Sequence, residues 1–202
     1  MVALPSPSQL PVRRILLVGF LYLLAYFAAA CADLWTTVIA LTRAGTNEGN
    51  AFVTSQQGYM SGRAWAINLA GALIMTACAM FSAKYAHRVE AQWIHNPVAS
   101  FRKIYLSPWS HRAIGVSPLH LLSMAMAFLA LRLLAAANNL VIYFYGFAPL
   151  GAPIERLAQH VSVFVAFGVV IVPVFYLIAL VVSPFAARLI SSWQNAAGSG
   201  SA

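Results

Sequence analysis

The chain has 202 residues, of which 61% are hydrophobic and only 8% are charged, and its formal net charge is +8. A soluble domain carries about 25% charged residues, because its surface faces water. The composition excludes a soluble domain and indicates an all-α integral membrane protein, since its apolar runs are continuous whereas the strands of a membrane β-barrel alternate in polarity. In this setting the positive charge predicts contact with anionic lipid headgroups, and nucleic acid is not an expected partner.

The chain opens with a tail over residues 1–12 that is rich in proline and serine and is predicted to be flexible. An apolar run over about 15–41 follows Arg13 and Arg14. This start also resembles a secretory signal peptide with a cleavage site after Ala32. Because the apolar run continues well past that position, we expect the first transmembrane helix instead.

Three further apolar runs, over about 63–83, 119–147 and 157–189, are each long enough to cross a hydrocarbon layer of about 30 Å. Pro173 lies within the last run, where it is expected to kink the helix without ending it. The sequence thus predicts one domain over residues 13–195, a four-helix transmembrane bundle. Residues 196–202 look like an added linker.

Lysine and arginine are divided unequally between the two sides that these spans define. With the N-terminus in the cytoplasm, the outer side holds Arg43, Arg63 and Arg156. The inner side holds Arg13, Arg14, Lys84, Arg88, Arg102, Lys103, Arg112 and Arg188. The positive-inside rule therefore predicts that both termini are cytoplasmic, in a multi-pass protein of a bacterial inner membrane.

The longest connection, residues 84–117, is then a cytoplasmic segment rich in basic and aromatic residues. We expect it to lie along the membrane surface, with Trp93 in the aromatic belt at that face. The residues expected to contact anionic headgroups are Lys84, Arg88, Arg102, Lys103 and Arg112. A docking site for a soluble partner is the alternative.

Asp33 and Arg132 are the only full charges near the middle of any predicted span. Either one alone would cost at least about 2.5–3.5 kcal/mol at the centre of a bilayer. Because a long arginine side chain can bend to the level of a carboxylate, we predict that the two face each other and neutralise one another. A structural ion pair that fixes helix packing and a working site both fit this pattern.

Other polar residues of the spans lie at a similar depth, toward the outer leaflet. The candidate site adds Thr37, Asn68, Asn139 and His160 to the charged pair. On the first helix, Ala25, Ala29, Asp33 and Thr37 recur every four residues and are expected to form one small and polar stripe. Asn138 is expected to point about 100° away from Asn139, outside the cluster.

Asp33-Leu-Trp-Thr36-Thr37, then Gly45, then Glu48-Gly-Asn50 resembles the motif of an uncharacterised family of small bacterial and archaeal membrane domains. That motif is an Asp and a Thr at the end of the first helix, followed by Gly and by Glu-x-Asn-Pro. The resemblance covers residues 20 to 90, with Ala51 where the family has proline. It implies a shared site that includes Glu48 and Asn50, and it implies no reaction.

His160 with Asp33 and Glu48 would supply three ligands or a general base. No metal motif such as H-E-x-x-H occurs, so neither a metal nor another cofactor is predicted. Haem b is disfavoured because His120 and His160 fall in opposite leaflets. Cys31, Arg132 and His160 follow the order of the membrane sortase-like transpeptidases, but the residues around the cysteine do not match that family.

Three functional hypotheses follow. The leading one is a non-enzymatic binding, transport-accessory or assembly subunit, as a homo-oligomer or within a larger membrane complex. The second is an intramembrane enzyme that acts on a lipid or lipid-linked substrate. The third is a proton-coupled carrier or channel, which would need to oligomerise because four spans are few.

Overall fold

The computed structural model describes residues 9–43, 62–100 and 117–198, apart from the side chains of residues 62–64. These ranges form helices and contain no β-strand. The helices with both ends described are α1 (Val12–Leu41), α2 (Gly62–Lys84), a 3-10 turn (Ala86–Arg88), α3 (Ala91–His95), α4 (Ser117–Tyr145), α5 (Gly151–Ala158) and α6 (Val163–Gly198). Residues 97–100 are also helical. Four of them, α1, α2, α4 and α6, are long and apolar enough to cross a membrane, which confirms the all-α class and the number of long helices.

The last predicted span, 157–189, is wrong at its start, and its helix extends beyond the predicted end. Its first residues close the separate helix α5, and α6 begins only at Val163. Ser162 lies at the N-cap position of α6, where its carbonyl and hydroxyl oxygens accept hydrogen bonds from the amides of Ala166 and Val165 at 2.9 and 3.4 Å. α6 then continues through Pro173 and ends at Gly198, so residues 196–198 of the presumed linker are helical.

The chain divides into two compact units, and the first comprises Met1–Leu23, Ile74–Ala127 and Ala179–Ala202. Its described core is built largely from alanine and leucine, with Leu119, Ala125 and Ile190 inaccessible to solvent. Small residues let apolar helices approach closely, and that contact replaces the hydrophobic drive that helices lack in lipid.

The segment after α2 belongs to this core. Val89 and Trp93 are buried at 4% and 8% exposure, against residues such as Leu119 and Ile190. The prediction that Trp93 lies in an aromatic belt on the membrane face is therefore wrong, because α3 packs its apolar side onto the helices. Lys84 and Arg88 stay exposed on either side of this packing.

Hydrogen bonds tie the first unit together at its polar positions. The Gln194 side-chain amide donates to the carbonyls of Ala86 and Val89, both at 2.9 Å, and so joins α6 to the 3-10 turn. Tyr22 donates its hydroxyl proton to the carbonyl of Ala125 at 2.8 Å, joining α1 to α4. The Ala86 carbonyl also accepts the Val89 amide at 3.0 Å, so Gln194 is its second donor, and the bond from Tyr22 adds a second donor to a carbonyl inside α4.

The second unit comprises Leu24–Leu73 and Phe128–Ile178. One face of α1 is buried here, at Tyr26, Ala29, Thr36 and Ala40. Those positions are three, seven and four residues apart, spacings that keep them on one side of a helix. Ala25 is exposed, so the predicted four-residue stripe is wrong in its period, although Ala29, Asp33 and Thr37 do face the interior side.

Candidate functional site

The predicted pairing of Asp33 with Arg132 is present in the structure. Arg132 Nη1 donates to Asp33 Oδ2 at 2.9 Å, and this is an ion pair between α1 and α4. The two side chains are 17% and 23% exposed, so the pair is largely withdrawn from the surface of the unit. Each charge therefore has its compensating partner where an isolated charge would be costly.

The second terminal nitrogen of Arg132 has two further partners. Nη2 donates to the Tyr26 hydroxyl oxygen at 3.3 Å and to the side-chain oxygen of Asn68 on α2. Tyr26 in turn donates its hydroxyl proton to the backbone carbonyl of Asn68 at 3.1 Å. The guanidinium thus links three helices, since Tyr26 lies on α1, Asn68 on α2 and Arg132 on α4.

Aromatic rings support the arginine from a second direction. The rings of Tyr26 and Phe128 stack at 5.9 Å with an interplanar angle of 6°. The guanidinium carbon of Arg132 lies 5.8 Å from the centre of each ring. At this distance an aromatic ring attracts a cation, by about 0.5–2 kcal/mol depending on desolvation. Gly71 of α2 packs against this stack, and a Cβ added there would be in van der Waals contact with Phe128, at 3.4 Å.

Asn139, about two turns beyond Arg132 on α4, contacts α1 above the ion pair. Its Nδ2 donates to Thr37 Oγ1 at 2.8 Å, with longer contacts to Asp33 Oδ1 at 3.4 Å and Thr36 Oγ1 at 3.5 Å. The Thr37 hydroxyl in turn donates to the backbone carbonyl of Asp33 at 2.8 Å, which connects Asn139 to the backbone of α1. We call the connected residues the polar cluster, and they are Tyr26, Asp33, Thr36, Thr37, Asn68, Arg132 and Asn139.

Asn138, the neighbour of Asn139, lies outside the polar cluster, as the sequence predicts. Its side-chain oxygen accepts a hydrogen bond from the amide of Leu150 at 3.0 Å, which fixes the residue before α5 to α4. Close by, Arg43 donates from Nη1 to the carbonyl of Tyr143 at 2.5 Å, at the end of α4. Gly146 follows with φ of 70°, the left-handed conformation of a helix C-terminus.

His160 does not join the polar cluster. It lies exposed in the turn between α5 and α6, because the helix in whose first turn it was predicted begins three residues later. Among the residues that the structure describes, no hydrogen bond joins its side chain to the cluster. Cys31 is also exposed, two residues from Asp33 and thus on another face of α1.

Several predicted site residues fall outside the described ranges. These are Glu48 and Asn50 of the loop after α1, and Arg102, Lys103 and Arg112 of the basic segment. The two described members of that segment, Lys84 and Arg88, lie 5.2 and 4.6 Å from the ring centre of Tyr85. Within the described ranges no three His, Cys, Asp or Glu side chains gather as a metal site would require.

The sequence-based site missed Tyr26, the residue that connects the arginine to both neighbouring helices. Tyr26 precedes Asp33 by seven residues, which places both on one helix face two turns apart. A polar-tipped aromatic side chain at that spacing is the signal that identifies it.

Comparisons of the chain with models of protein families, with curated proteins and with solved structures find no match.

Proposed function

We propose that the chain is a multi-pass membrane protein with both termini in the cytoplasm, and that it acts as a non-enzymatic binding, transport-accessory or assembly subunit. In this role the polar cluster holds α1, α2 and α4 in register. A bacterial inner membrane is its proposed location, from the unequal distribution of lysine and arginine.

The exposed surfaces of the long helices support insertion into a membrane. Large apolar side chains stand out from α1 and α6, among them Phe20 at 63%, Phe27 at 63%, Leu177 at 63% and Val181 at 66% exposure. Water would disfavour this much exposed apolar surface, and a single apolar patch on a soluble monomer rarely exceeds a few hundred Å². Hydrocarbon accommodates it without penalty.

The observation that carries the non-enzymatic role is the direct bond between Asp33 and Arg132. The carboxylate and the guanidinium neutralise one another, and their further hydrogen bonds go to Asn139, Asn68 and Tyr26. Groups that are already bonded to the protein would have to break those bonds before binding a substrate. The arrangement therefore favours a structural hub, and the resemblance of the Asp33–Asn50 motif to a membrane-domain family fits a shared hub of this kind.

Native mass spectrometry of the protein, extracted in a mild detergent from its own membranes, tests this proposal. We expect a second polypeptide or a second copy of the chain to remain bound in fixed stoichiometry. A solitary chain that turns over a co-extracted lipid would overturn the non-enzymatic role, provided that Asp33→Asn abolishes turnover at a temperature at which this variant is still folded. Reporter fusions at the two termini test the orientation independently.

A further inference from the structure

An open cleft of about 560 Å³ lies along the first turns of α1, and none of its lining residues belongs to the polar cluster. Its lining consists of Arg13, Arg14, Leu16, Leu17 and Phe20. The arginines are both exposed, and the three apolar side chains are more than half exposed, at 57%, 52% and 63%. The cleft thus sets two cationic groups at one end of an apolar wall.

The two arginines have no acidic partner among the described residues, where the structure records one ion pair, Arg132 with Asp33. Their unit holds one described carboxylate, Glu90, which accepts a hydrogen bond from Gln92. Against it stand five basic side chains, Arg13, Arg14, Lys84, Arg88 and Arg188, which are all exposed. The described part of this unit therefore carries an excess of positive charge, and the cleft itself is lined by two arginines, so an anion is its complement.

We propose that this cleft binds an anionic phospholipid, with the phosphate between Arg13 and Arg14 and the adjoining acyl chain along Leu16, Leu17 and Phe20. The inference rests on the proposed insertion of α1 into a membrane. Guanidinium groups suit a phosphate because their donors form a planar fork that matches two of its oxygens.

The apolar wall argues for a lipid over a free phosphate. Seven residues separate Arg13 from Phe20, which at about 1.5 Å per residue is about 10 Å of helix. A lipid whose phosphate contacts the arginines lays the first part of its acyl chain along that length. Inorganic phosphate would leave Leu16, Leu17 and Phe20 uncovered, so it would gain nothing from them.

The paired arginines also favour an anionic headgroup over a zwitterionic one. A choline headgroup would bring its own cation near two guanidinium groups, and like charges repel. Each basic residue near an anionic surface contributes about 1 kcal/mol, equivalent to about a fivefold change in affinity.

Lipid titration of the full chain by native mass spectrometry tests the site, with phosphatidylglycerol and phosphatidylcholine as the probes. We expect wild-type protein to retain phosphatidylglycerol preferentially. Arg13→Gln and Arg14→Gln should each weaken that binding about fivefold, consistent with the contribution of one surface arginine. The matched control is Arg156→Gln, which removes one charge from the exposed surface of α5 and should leave binding unchanged. Arg13→Lys keeps the charge and should lose less than Arg13→Gln.

Equal retention of the two lipids by the wild type would overturn the proposal and needs no variant. Equal loss in Arg13→Gln and Arg156→Gln would also overturn it, because binding would then follow net charge alone. Displacement of the lipid by millimolar inorganic phosphate would assign the site to a free anion. These results leave the proposed function standing if the chain stays in the membrane fraction after alkaline washing, whereas release by that wash would defeat the membrane assignment itself.

Discussion

Asp33 and Arg132 are 99 residues apart in the chain and meet at 2.9 Å, which joins the first long helix to the third. The contact is one part of a network, because the same guanidinium reaches Tyr26 on α1 and Asn68 on α2. A charge shared among three helices fixes their rotation and their offset along the axis together. Mutations should therefore act on the helix arrangement as a whole.

Breaking the ion pair from either side should destabilise the fold. Removing one partner of a buried pair costs about 3–5 kcal/mol, and we expect about 1–3 kcal/mol for Asp33→Asn or Arg132→Gln because both side chains are partly exposed. The double variant should recover part of the loss, since neither charge is then left unpaired. Thermal unfolding in detergent measures the cycle, and a fully additive double variant would contradict the pairing.

The hydroxyl of Tyr26 should contribute separately from its ring. Tyr26→Phe keeps the stack with Phe128 but removes two hydrogen bonds, one accepted from Arg132 and one donated to the Asn68 carbonyl, so a loss of about 1–3 kcal/mol is expected. Tyr22→Phe is the control, because it removes a hydroxyl bond between α1 and α4, to the Ala125 carbonyl, that does not involve the arginine. When each is combined with Arg132→Gln, coupling should appear for Tyr26→Phe and be absent for Tyr22→Phe.

A side chain at Gly146 should destabilise the end of α4, for two separable reasons. Its φ of 70° favours glycine, and an added Cβ would lie 2.8 Å from Arg43 Nη2. The conformation alone should cost Gly146→Ala about 1–2 kcal/mol. Gly168→Ala is the control, since no atom lies within 4 Å of its added Cβ, and α6 should gain up to about 1 kcal/mol there.

Replacing Arg43 separates the two effects. In an Arg43→Ala background the steric part of the Gly146→Ala loss should disappear, while the part due to φ persists. Thermal melts of the four variants give the coupling. If Gly146→Ala costs the same in both backgrounds, the guanidinium does not occupy the space beside Gly146.

The sequence alone identifies the four long helices and the charged pair, because both depend on strong local signals. A helix that crosses a bilayer requires a long apolar run. Two opposite charges within such runs are expected to pair, because an unpaired charge in hydrocarbon is costly. Asn68 and Asn139 follow from the same reasoning, as polar groups at the depth of the pair. These features need no knowledge of how the helices rotate.

The wrong predictions concern the rotation of helices about their own axes and the residues that cap helix ends. Average hydropathy carries no information about either. A four-residue period predicts that Ala25 faces inward. The structure buries Tyr26 instead, because an α-helix repeats about every 3.6 residues and its inward positions are therefore spaced by three or four residues. His160 is predicted in the first turn of the last helix, but that helix begins at Val163, with Ser162 at its N-cap position. The basic residues of segment 84–117 predict a membrane-surface position for Trp93. Its burial depends on the apolar side of the short helix α3, which the average composition of that segment does not reveal.

Gln194 gives the last test, of the bond between α6 and the 3-10 turn. Its amide donates to the carbonyls of Ala86 and Val89, both at 2.9 Å, and Gln194→Leu would leave these acceptors without that donor. A loss of about 1–3 kcal/mol in the free energy of unfolding is expected, because the side chain is partly buried and two bonds are removed.

Asn195→Leu is the control, since this neighbouring side chain is exposed and its replacement changes polarity to a similar degree. Hydrogen exchange should rise at Arg88 and Val89, whose amides close the turn, in the first variant only. Equal protection in both variants would mean that the turn is held by Val89 and Trp93 packing alone.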